Sequence, residues 1–337
     1  MASRKTTVRL LAVPNVSEGR EEASVAAIGE AFTGRGAARL LDVHSDGDHH
    51  RAVFTVAGVA GTLAEALAEG VGEALRRVDV GPGRAAAQVG RHPHVGAVDV
   101  VPVVYLDLAL RGAACAEALV AAELIGGLGV PVVLYGELGG GRTRAELRRG
   151  GLAGLARRLG AGELDADFGP AAPHATGGVT LLAARPPLVA FNVELAAPAG
   201  MAQARRIAAL IREGGAEGLP GVRAMAVELR APGASLAPGG AGAGGARVGG
   251  ARTGTGRPGE APEVVAQVST NVERPGEVRL AEVVAAVARH APVACAELVG
   301  LAPAAALEGF PAEVRLRGFR PERQVLERAL AGLAGPP

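Results

Sequence analysis

Short Val-rich runs alternate along the chain with longer runs that are rich in Ala, Leu and Glu. Short apolar runs favour buried strands, whereas apolar residues at three- and four-residue spacing indicate amphipathic helices. In the first half, strands are predicted at 9–17, 38–45, 51–58, 95–106 and 130–137. Helices are predicted between them, at 20–34, 59–78 and 112–129. This alternation favours an α/β (α+β) class in which helices pack on layered sheets.

The pattern repeats more loosely in the second half. Two strand-like runs within 177–196 flank a Pro-Pro break, and further strands are predicted at 222–231, 262–272 and 292–303. Helices are predicted at 201–215, 278–291 and 320–333. The chain therefore reads as two α/β halves that meet near 185–187, and the predicted domains are 1–186 and 187–337.

A Gly-rich stretch, 232–261, separates two predicted strands of the second half. It has almost no apolar residues to offset the entropy of ordering it, so a flexible insertion is expected. It contains no GxxxxGK[ST] sequence, and a phosphate-binding P-loop is therefore not expected there.

Composition narrows the class of protein further. The 337 residues are 49% hydrophobic and only 2% aromatic, and the formal net charge is +1. No basic stripe with interleaved aromatic residues is visible, so no nucleic-acid partner is expected. No signal peptide or membrane span is predicted, and a cytoplasmic location is expected. Cys115 and Cys295 lie far apart in Ala-rich segments, which favours buried free thiols.

Five of the seven histidines fall in two stretches, "HSDGDHHR" (44–51) and "GRHPHVGAVDV" (90–100). Three interpretations are open for the first stretch: a polar wall facing a substrate, a solvated loop, or a metal site. Adjacent side chains on a strand point to opposite faces, so His49 and His50 would not share an ion without a turn. No HxxxH or CxxC spacing is present, and no metal is expected.

Seven short segments stand in one order along the chain: "VPNVSEGR" (13–20), "RHPHVGAVDVVP" (91–102), "PVVLYGE" (131–137), "DFGP" (167–170), "LVAFNVEL" (188–195), "AQVSTN" (266–271) and "LVGLAP" (298–303). Each is weak alone. Together, from about residue 8 to about residue 333, they resemble the formiminotransferase domain family.

The resemblance implies two ferredoxin-like subdomains, each a sheet packed by helices, with a substrate cleft between the sheets. They would be the N-terminal subdomain, 1–186, and the C-terminal subdomain, 187–337. It also implies transfer of a formimino group from N-formimino-L-glutamate to N5 of tetrahydrofolate, the co-substrate. The products would be 5-formiminotetrahydrofolate and L-glutamate, in histidine degradation.

This reaction needs a proton acceptor and donor. N5 loses a proton as it attacks, the glutamate nitrogen gains one as it leaves, and one imidazole of near-neutral pKa serves both steps. The family's motif places this role on His92, and the position of an assisting aspartate in animal relatives falls on His44. The family's usual Glu and Arg around the histidine are replaced here by Arg91 and His94. His94 could hold a carboxylate in place of that Arg only when protonated.

The resemblance also implies binding residues. The folate segment that follows "DFGP" is Gly169, Pro170, Ala171, Ala172, Pro173, His174, Ala175, Thr176, Gly177 and Gly178. The family often has an aromatic residue in this loop, and this chain has none after Phe168. The expected substrate-binding residues are Asp46, His49, Arg51, His94 and Asn192, with Asn271 as a further cleft-facing amide.

Two alternatives stay open at this point: transfer of a formyl group from N-formylglutamate, or a non-catalytic folate-binding homologue. In animals the domain is fused to a cyclodeaminase. For a chain of 337 residues a separate cyclodeaminase is expected, and the transferase is expected to be a homodimer.

Overall fold

The computed structural model describes residues 9–36, 38–47, 49–81, 94–230 and 264–332. The chain divides after Pro187 into two compact units, Met1–Pro187 and Leu188–Pro337. Arg91, His92 and the Gly-rich insertion at 232–261 lie outside the described residues.

The first unit contains a mixed sheet and its helices. The strands are β1 (Arg9–Ala12), β2 (Asn15–Val16), β3 (Ala38–Asp46), β4 (Arg51–Val59), β5 (Val98–Val104), β6 (Val132–Leu134) and β7 (Thr180–Arg185). The helices are α1 (Glu22–Ala31), α2 (Leu63–Arg77), α3 (Arg111–Gly127), α4 (Arg144–Leu147) and α5 (Gly151–Gly160), with 3₁₀ turns at Gly34–Gly36 and Leu108–Leu110.

The sheet order of the first unit is β3–β4–(β1, β2)–β5–β7–β6. The antiparallel part, from β3 to β5, has the strand order of a ferredoxin-like βαββαβ unit, and β7 and β6 extend it in parallel. Strand β5 is buried at all seven positions. One hydrophobic cluster joins its Val101 to α1, α2 and α3, and a separate cluster joins its Val100 to Leu155 of α5.

The second unit is simpler. Its strands are β8 (Val189–Leu195), β9 (Val222–Arg230), β10 (Val264–Val272), β11 (Val293–Val299) and β12 (Leu316–Arg317). Its helices are α6 (Met201–Ile211), α7 (Leu280–Ala288), α8 (Pro321–Gln324) and α9 (Leu326–Ala331), with a 3₁₀ turn at Ala304–Leu307. The strand order β12–β11–β8–β10–β9 again contains the antiparallel ferredoxin-like arrangement. The predicted class, α/β with two ferredoxin-like subdomains, is confirmed.

Proline and glycine explain where the observed elements differ from the predicted ones. The strand expected at 9–17 divides into β1 and β2 at Pro14, which has no N–H for the sheet. The prediction also missed α4 and α5. Helix α4 begins with a capping box in which Thr143 and Glu146 satisfy each other's backbone N–H groups. Gly150, with φ +79°, then separates the two helices.

The single helix predicted at 320–333 is wrong. Val325 has extended backbone angles and separates α8 from α9. The break lets the chain pair with Ala302, whose N–H donates to Gln324 O and whose carbonyl accepts from Leu326 N, each at 2.9 Å. The prediction of buried thiols is also wrong, because Cys115 and Cys295 are only half-buried.

Candidate functional site

The β3–β4 hairpin carries the histidine-rich stretch at its tip. Strand β3 ends at Asp46, β4 begins at Arg51, and these two residues are paired across the hairpin. His49 N–H donates to Asp46 Oδ1 at 2.9 Å, and His49 Nδ1 lies 3.1 Å from Asp46 Oδ2. Burial raises the pKa of the Asp46 carboxyl, but the hydrogen bonds and charge of His49 outweigh it and hold that pKa well below the usual range. His44, half-buried on β3, lowers it further.

The tip packs against the segment 17–20. Its contact residue is His50, which is buried and has φ +50°, in the left-handed region. Gly19 N–H donates to His50 Nδ1 at 3.2 Å, and Glu18 Oε1 lies 3.3 Å from the same nitrogen. A Cβ on Gly19 would lie 2.4 Å from Asp46 O and 2.5 Å from Arg51 N, so only glycine allows this approach. Sequence reasoning did not single out Glu18 or His50 as site residues.

Arg51 begins β4, beside the tip of the hairpin. Its side chain is half-buried and makes no hydrogen bond or ion pair within the described part of the chain. Burial lowers the pKa of the Arg51 guanidinium to about 10, against the attraction of Asp46 and with added repulsion from Arg148. A guanidinium that is partly desolvated and lacks a close counter-ion is suited to bind a carboxylate.

Arg51 lines a small recess beside the tip of the hairpin. The recess is lined by Asn15, Val16, Ser17, His50, Arg51, His94 and Asp99. Its floor is fixed by Asp99, which is 2% exposed, accepts from Val95 N at 2.8 Å and forms an ion pair with Arg148.

The predicted folate segment contacts residues that precede and follow the stretch 82–93. That stretch includes His92 and lies outside the described residues. Val80 N donates to Thr176 O at 2.7 Å, and Val179 N donates to Val95 O at 2.9 Å. Gly96 also forms a bridge with Gly178. The predicted folate segment is therefore hydrogen-bonded to described residues on both sides of this stretch in the sequence.

The folate segment has an exposed part and a buried part. Residues 169–172 are exposed, whereas Gly177 and Gly178 are buried. A Cβ on Gly169, which has φ +77°, would lie 2.6 Å from Val130 O, and a Cβ on Gly178 would lie 2.4 Å from Val95 O. These two glycines are therefore required by packing within the chain itself. Their predicted contact with folate stays a prediction.

Asn192 belongs to the second unit, on β8. It is 6% exposed, and its Nδ2 donates to Glu297 Oε2 on β11 at 3.3 Å. Asn271 lies on the neighbouring strand β10 and is half-buried.

Among the described residues, no group of three or more His, Cys, Asp or Glu side chains is arranged to hold a metal ion. Within the same residues, no helix has the length and apolar character needed to cross a bilayer.

Comparison with known proteins identifies the family of the chain. Residues 9–185 match the model of the formiminotransferase domain, N-terminal subdomain. The chain belongs to the formiminotransferase domain family. This confirms the resemblance that the ordered sequence segments indicated.

Named relatives agree with this assignment. A glutamate formimidoyltransferase of Streptococcus pyogenes serotype M1 is 33% identical over 207 residues, which are 60% of this chain and 67% of that protein. The formimidoyltransferase-cyclodeaminase of Sus scrofa is 34% identical over 211 residues, but the match covers only 37% of its length. A glutamate formimidoyltransferase of Thermoplasma acidophilum is 30% identical over 206 residues, 66% of its length. The chain is a transferase of this family.

Proposed function

We propose that the chain transfers the formimino group of N-formimino-L-glutamate to N5 of tetrahydrofolate, giving 5-formiminotetrahydrofolate and L-glutamate in histidine degradation. The supporting observation is the half-buried Arg51 guanidinium, which lines a recess together with His94. The printed names of the relatives support the same reaction.

The residues of the hairpin and of the folate segment bind and position the two substrates. Arg51 binds a carboxylate of the glutamate donor, because a bidentate pair with a carboxylate gives both energy and orientation. Asp46 and His49 hold the end of the hairpin, which places Arg51 at the recess. The exposed residues 169–172 contribute contacts to folate. Tetrahydrofolate is the co-substrate.

His92 moves the proton. As the bond between N5 and the amidine carbon forms, His92 accepts the N5 proton, and it returns that proton to the glutamate nitrogen as the old C–N bond breaks. A positioned imidazole contributes about 10²–10⁴-fold in rate to such a transfer. His44 lies near the Asp46 charge and is the second catalytic candidate.

Two donors are candidates for the reaction. His94 lines the recess at a position where the family usually has Arg, so an imidazole instead of a guanidinium is available there to bind the donor. A transferase that uses N-formylglutamate is therefore the second candidate function. Homodimerisation, a separate cyclodeaminase and a cytoplasmic location stay predictions.

The test is turnover of tetrahydrofolate with N-formimino-L-glutamate, followed by appearance of the 5-formimino product. We expect turnover by the wild type, a fall of about 100-fold or more in kcat for His92→Ala, and no change for His290→Ala, a histidine that follows α7 in the second unit. Turnover with N-formylglutamate alone would favour the second candidate. Folate binding without turnover on either donor would favour a non-catalytic homologue.

A further inference from the structure

The charged side chains at the recess of the first unit are unevenly paired. Arg148 Nη2 forms an ion pair with Asp99, which lines the recess, and His49 Nδ1 lies 3.1 Å from Asp46 Oδ2. Arg51, which also lines the recess, has no carboxylate within ion-pair distance among the described residues. A half-buried guanidinium without a counter-ion is unfavourable, and an anionic ligand would supply the missing charge.

Arg144, at the start of α4, is a second guanidinium of this kind. It is half-buried, and its Cζ lies 5.8 Å from the centroid of the ring of Tyr135, a residue that is 5% exposed. Within the part of the chain that the structure describes, the Arg144 side chain makes no hydrogen bond or ion pair. A guanidinium that stacks on an aromatic ring keeps the N–H groups at its edge available, and these can bind a carboxylate in bidentate geometry.

Arg144 lies close to the recess. Residues four apart lie on one face of a helix, and Arg148 N donates to Arg144 O at 2.9 Å, so Arg144 precedes the partner of Asp99 by one turn. Burial, with the positive charges of Arg148 and Arg144, lowers the pKa of Arg51 to about 10 against the attraction of Asp46 and Asp99. The charge of Arg144 therefore acts on Arg51, and an anion that contacts both guanidinium groups would offset their repulsion.

We infer that Arg51 and Arg144 together bind a dicarboxylate, with one carboxylate on each guanidinium. The inference rests on the proposed function and deepens it, because N-formimino-L-glutamate carries two carboxylates. A donor with one carboxylate satisfies only one of the two guanidinium groups. Arg144 thereby makes the site select a glutamate donor over a glycine donor.

The test variant is Arg144→Met, which keeps an unbranched apolar stem on Tyr135 and removes the charge. Calorimetry measures the affinities of the wild type and of the variant for N-formimino-L-glutamate and for N-formiminoglycine, which has one carboxylate. We expect Arg144→Met to weaken binding of the glutamate compound by about 10-fold, the effect of losing a charge-assisted contact. Binding of the glycine compound should change by less than about twofold, because its single carboxylate is bound by Arg51.

Arg149→Met is the matched control, because Arg149 is an exposed arginine of the same segment. It should leave both affinities unchanged. Arg144→Lys keeps the charge but not the planar fork, and its affinity for the glutamate compound should lie between those of the wild type and Arg144→Met.

Three results would overturn the inference. The first is an affinity of Arg144→Met for the glutamate compound within about twofold of the wild-type value. The second is an equal loss for the glutamate and glycine compounds, which would mean that Arg144 acts only through the structure of the recess. The third is weaker binding of 5-formyltetrahydrofolate with unchanged donor binding, which would assign Arg144 to the glutamate tail of the folate.

Compounds without an amidine separate this inference from the proposed function. Glutarate has two carboxylates at the spacing found in glutamate, and butyrate has one; both are tested by ligand-observed NMR on the whole chain. If the wild type shows no turnover but prefers glutarate, and Arg144→Met loses that preference, the inference holds while the proposed function fails. If turnover occurs but the preference for glutarate is absent, or persists in Arg144→Met, the inference is wrong while the proposed function stands.

Discussion

Asp46 and His49 hold each other across the β3–β4 turn, through a backbone hydrogen bond at 2.9 Å and a side-chain contact at 3.1 Å. The contact holds the Asp46 carboxylate within the turn, and Asp46 is paired with Arg51 across the hairpin. The structure thus gives Asp46 a part in positioning Arg51, and its direct binding of substrate or contact with His92 stays a prediction.

Asp46→Asn should destabilise the protein by about 1–2 kcal/mol at pH 7, because the charge-assisted bonds to His49 weaken. The folded-state pKa of Asp46 is depressed, so its contribution is present above the unfolded pKa of about 4 and is lost as the pH falls below it. Urea unfolding of the wild type and of Asp46→Asn at pH 7, 5, 4 and 3 measures this contribution to the free energy of unfolding.

The difference in the free energy of unfolding between the wild type and Asp46→Asn should shrink below about pH 4. Asp107→Asn serves as a control, because Asp107 is an exposed cap that accepts from Ala109 N at 2.8 Å. A difference for Asp46→Asn that stays constant from pH 7 to pH 3 would contradict a depressed pKa.

Arg51→Met should weaken binding of the glutamate donor. Loss of a charged bidentate contact is expected to raise the KM for the donor by about 10- to 100-fold, with a smaller effect on the KM for folate. The Tm should not fall, because the guanidinium has no partner within the described residues whose bond would be lost. Steady-state kinetics with each substrate varied in turn give both values.

Arg279→Met is the comparison for Arg51→Met, since Arg279 is an exposed residue that pairs with Glu308 at 3.1 Å. It should change neither KM. A donor KM for Arg51→Met within twofold of the wild-type value would remove Arg51 from the proposed site.

Much of the fold was predictable because apolar residues recur clearly at the spacings typical of strands and of helices. The Pro-Pro break separates β7 from β8 as expected, and the predicted runs at 222–231 and 262–272 are β9 and β10. The strand order was not available from periodicity, because it depends on which strands pair over long separations. It came from the resemblance, and both units have it.

The site was predictable only in part. Of the predicted substrate-binding residues, Arg51 and His94 line one recess. The interpretation of the stretch 44–51 as a polar wall that faces a substrate stays a prediction. Glu18 and His50 were missed because 32 positions separate them in the chain, and only the close approach at Gly19 brings them together. The glycine in "SEGR" was a visible signal, but its contact with the hairpin tip depends on tertiary structure.

Gly19→Ala should disrupt this approach. The added Cβ would lie 2.4–2.5 Å from backbone atoms of Asp46 and Arg51, which cannot move aside as a flexible side chain could. We expect a loss of about 1–3 kcal/mol in the free energy of unfolding and a reduced kcat/KM, because Arg51 shifts. Gly47→Ala is the matched control, since its Cβ would meet nothing closer than 3.7 Å. Equal effects of the two substitutions would show that packing at Gly19 is not the cause.

Arg148→Met should be the most destabilising of these changes. It leaves the Asp99 carboxylate, 2% exposed, without its guanidinium at the floor of the recess, and such a loss costs about 3–5 kcal/mol. Arg149→Met, at an exposed neighbouring position, should cost less than about 0.5 kcal/mol. Adding Asp99→Asn to Arg148→Met should restore part of the stability, because the uncompensated charge is removed while an amide oxygen can still accept from Val95 N. Urea unfolding of the wild type, Arg148→Met, Asp99→Asn and the double variant gives the coupling energy between Arg148 and Asp99. A double variant no more stable than Arg148→Met would mean that the guanidinium acts through packing alone.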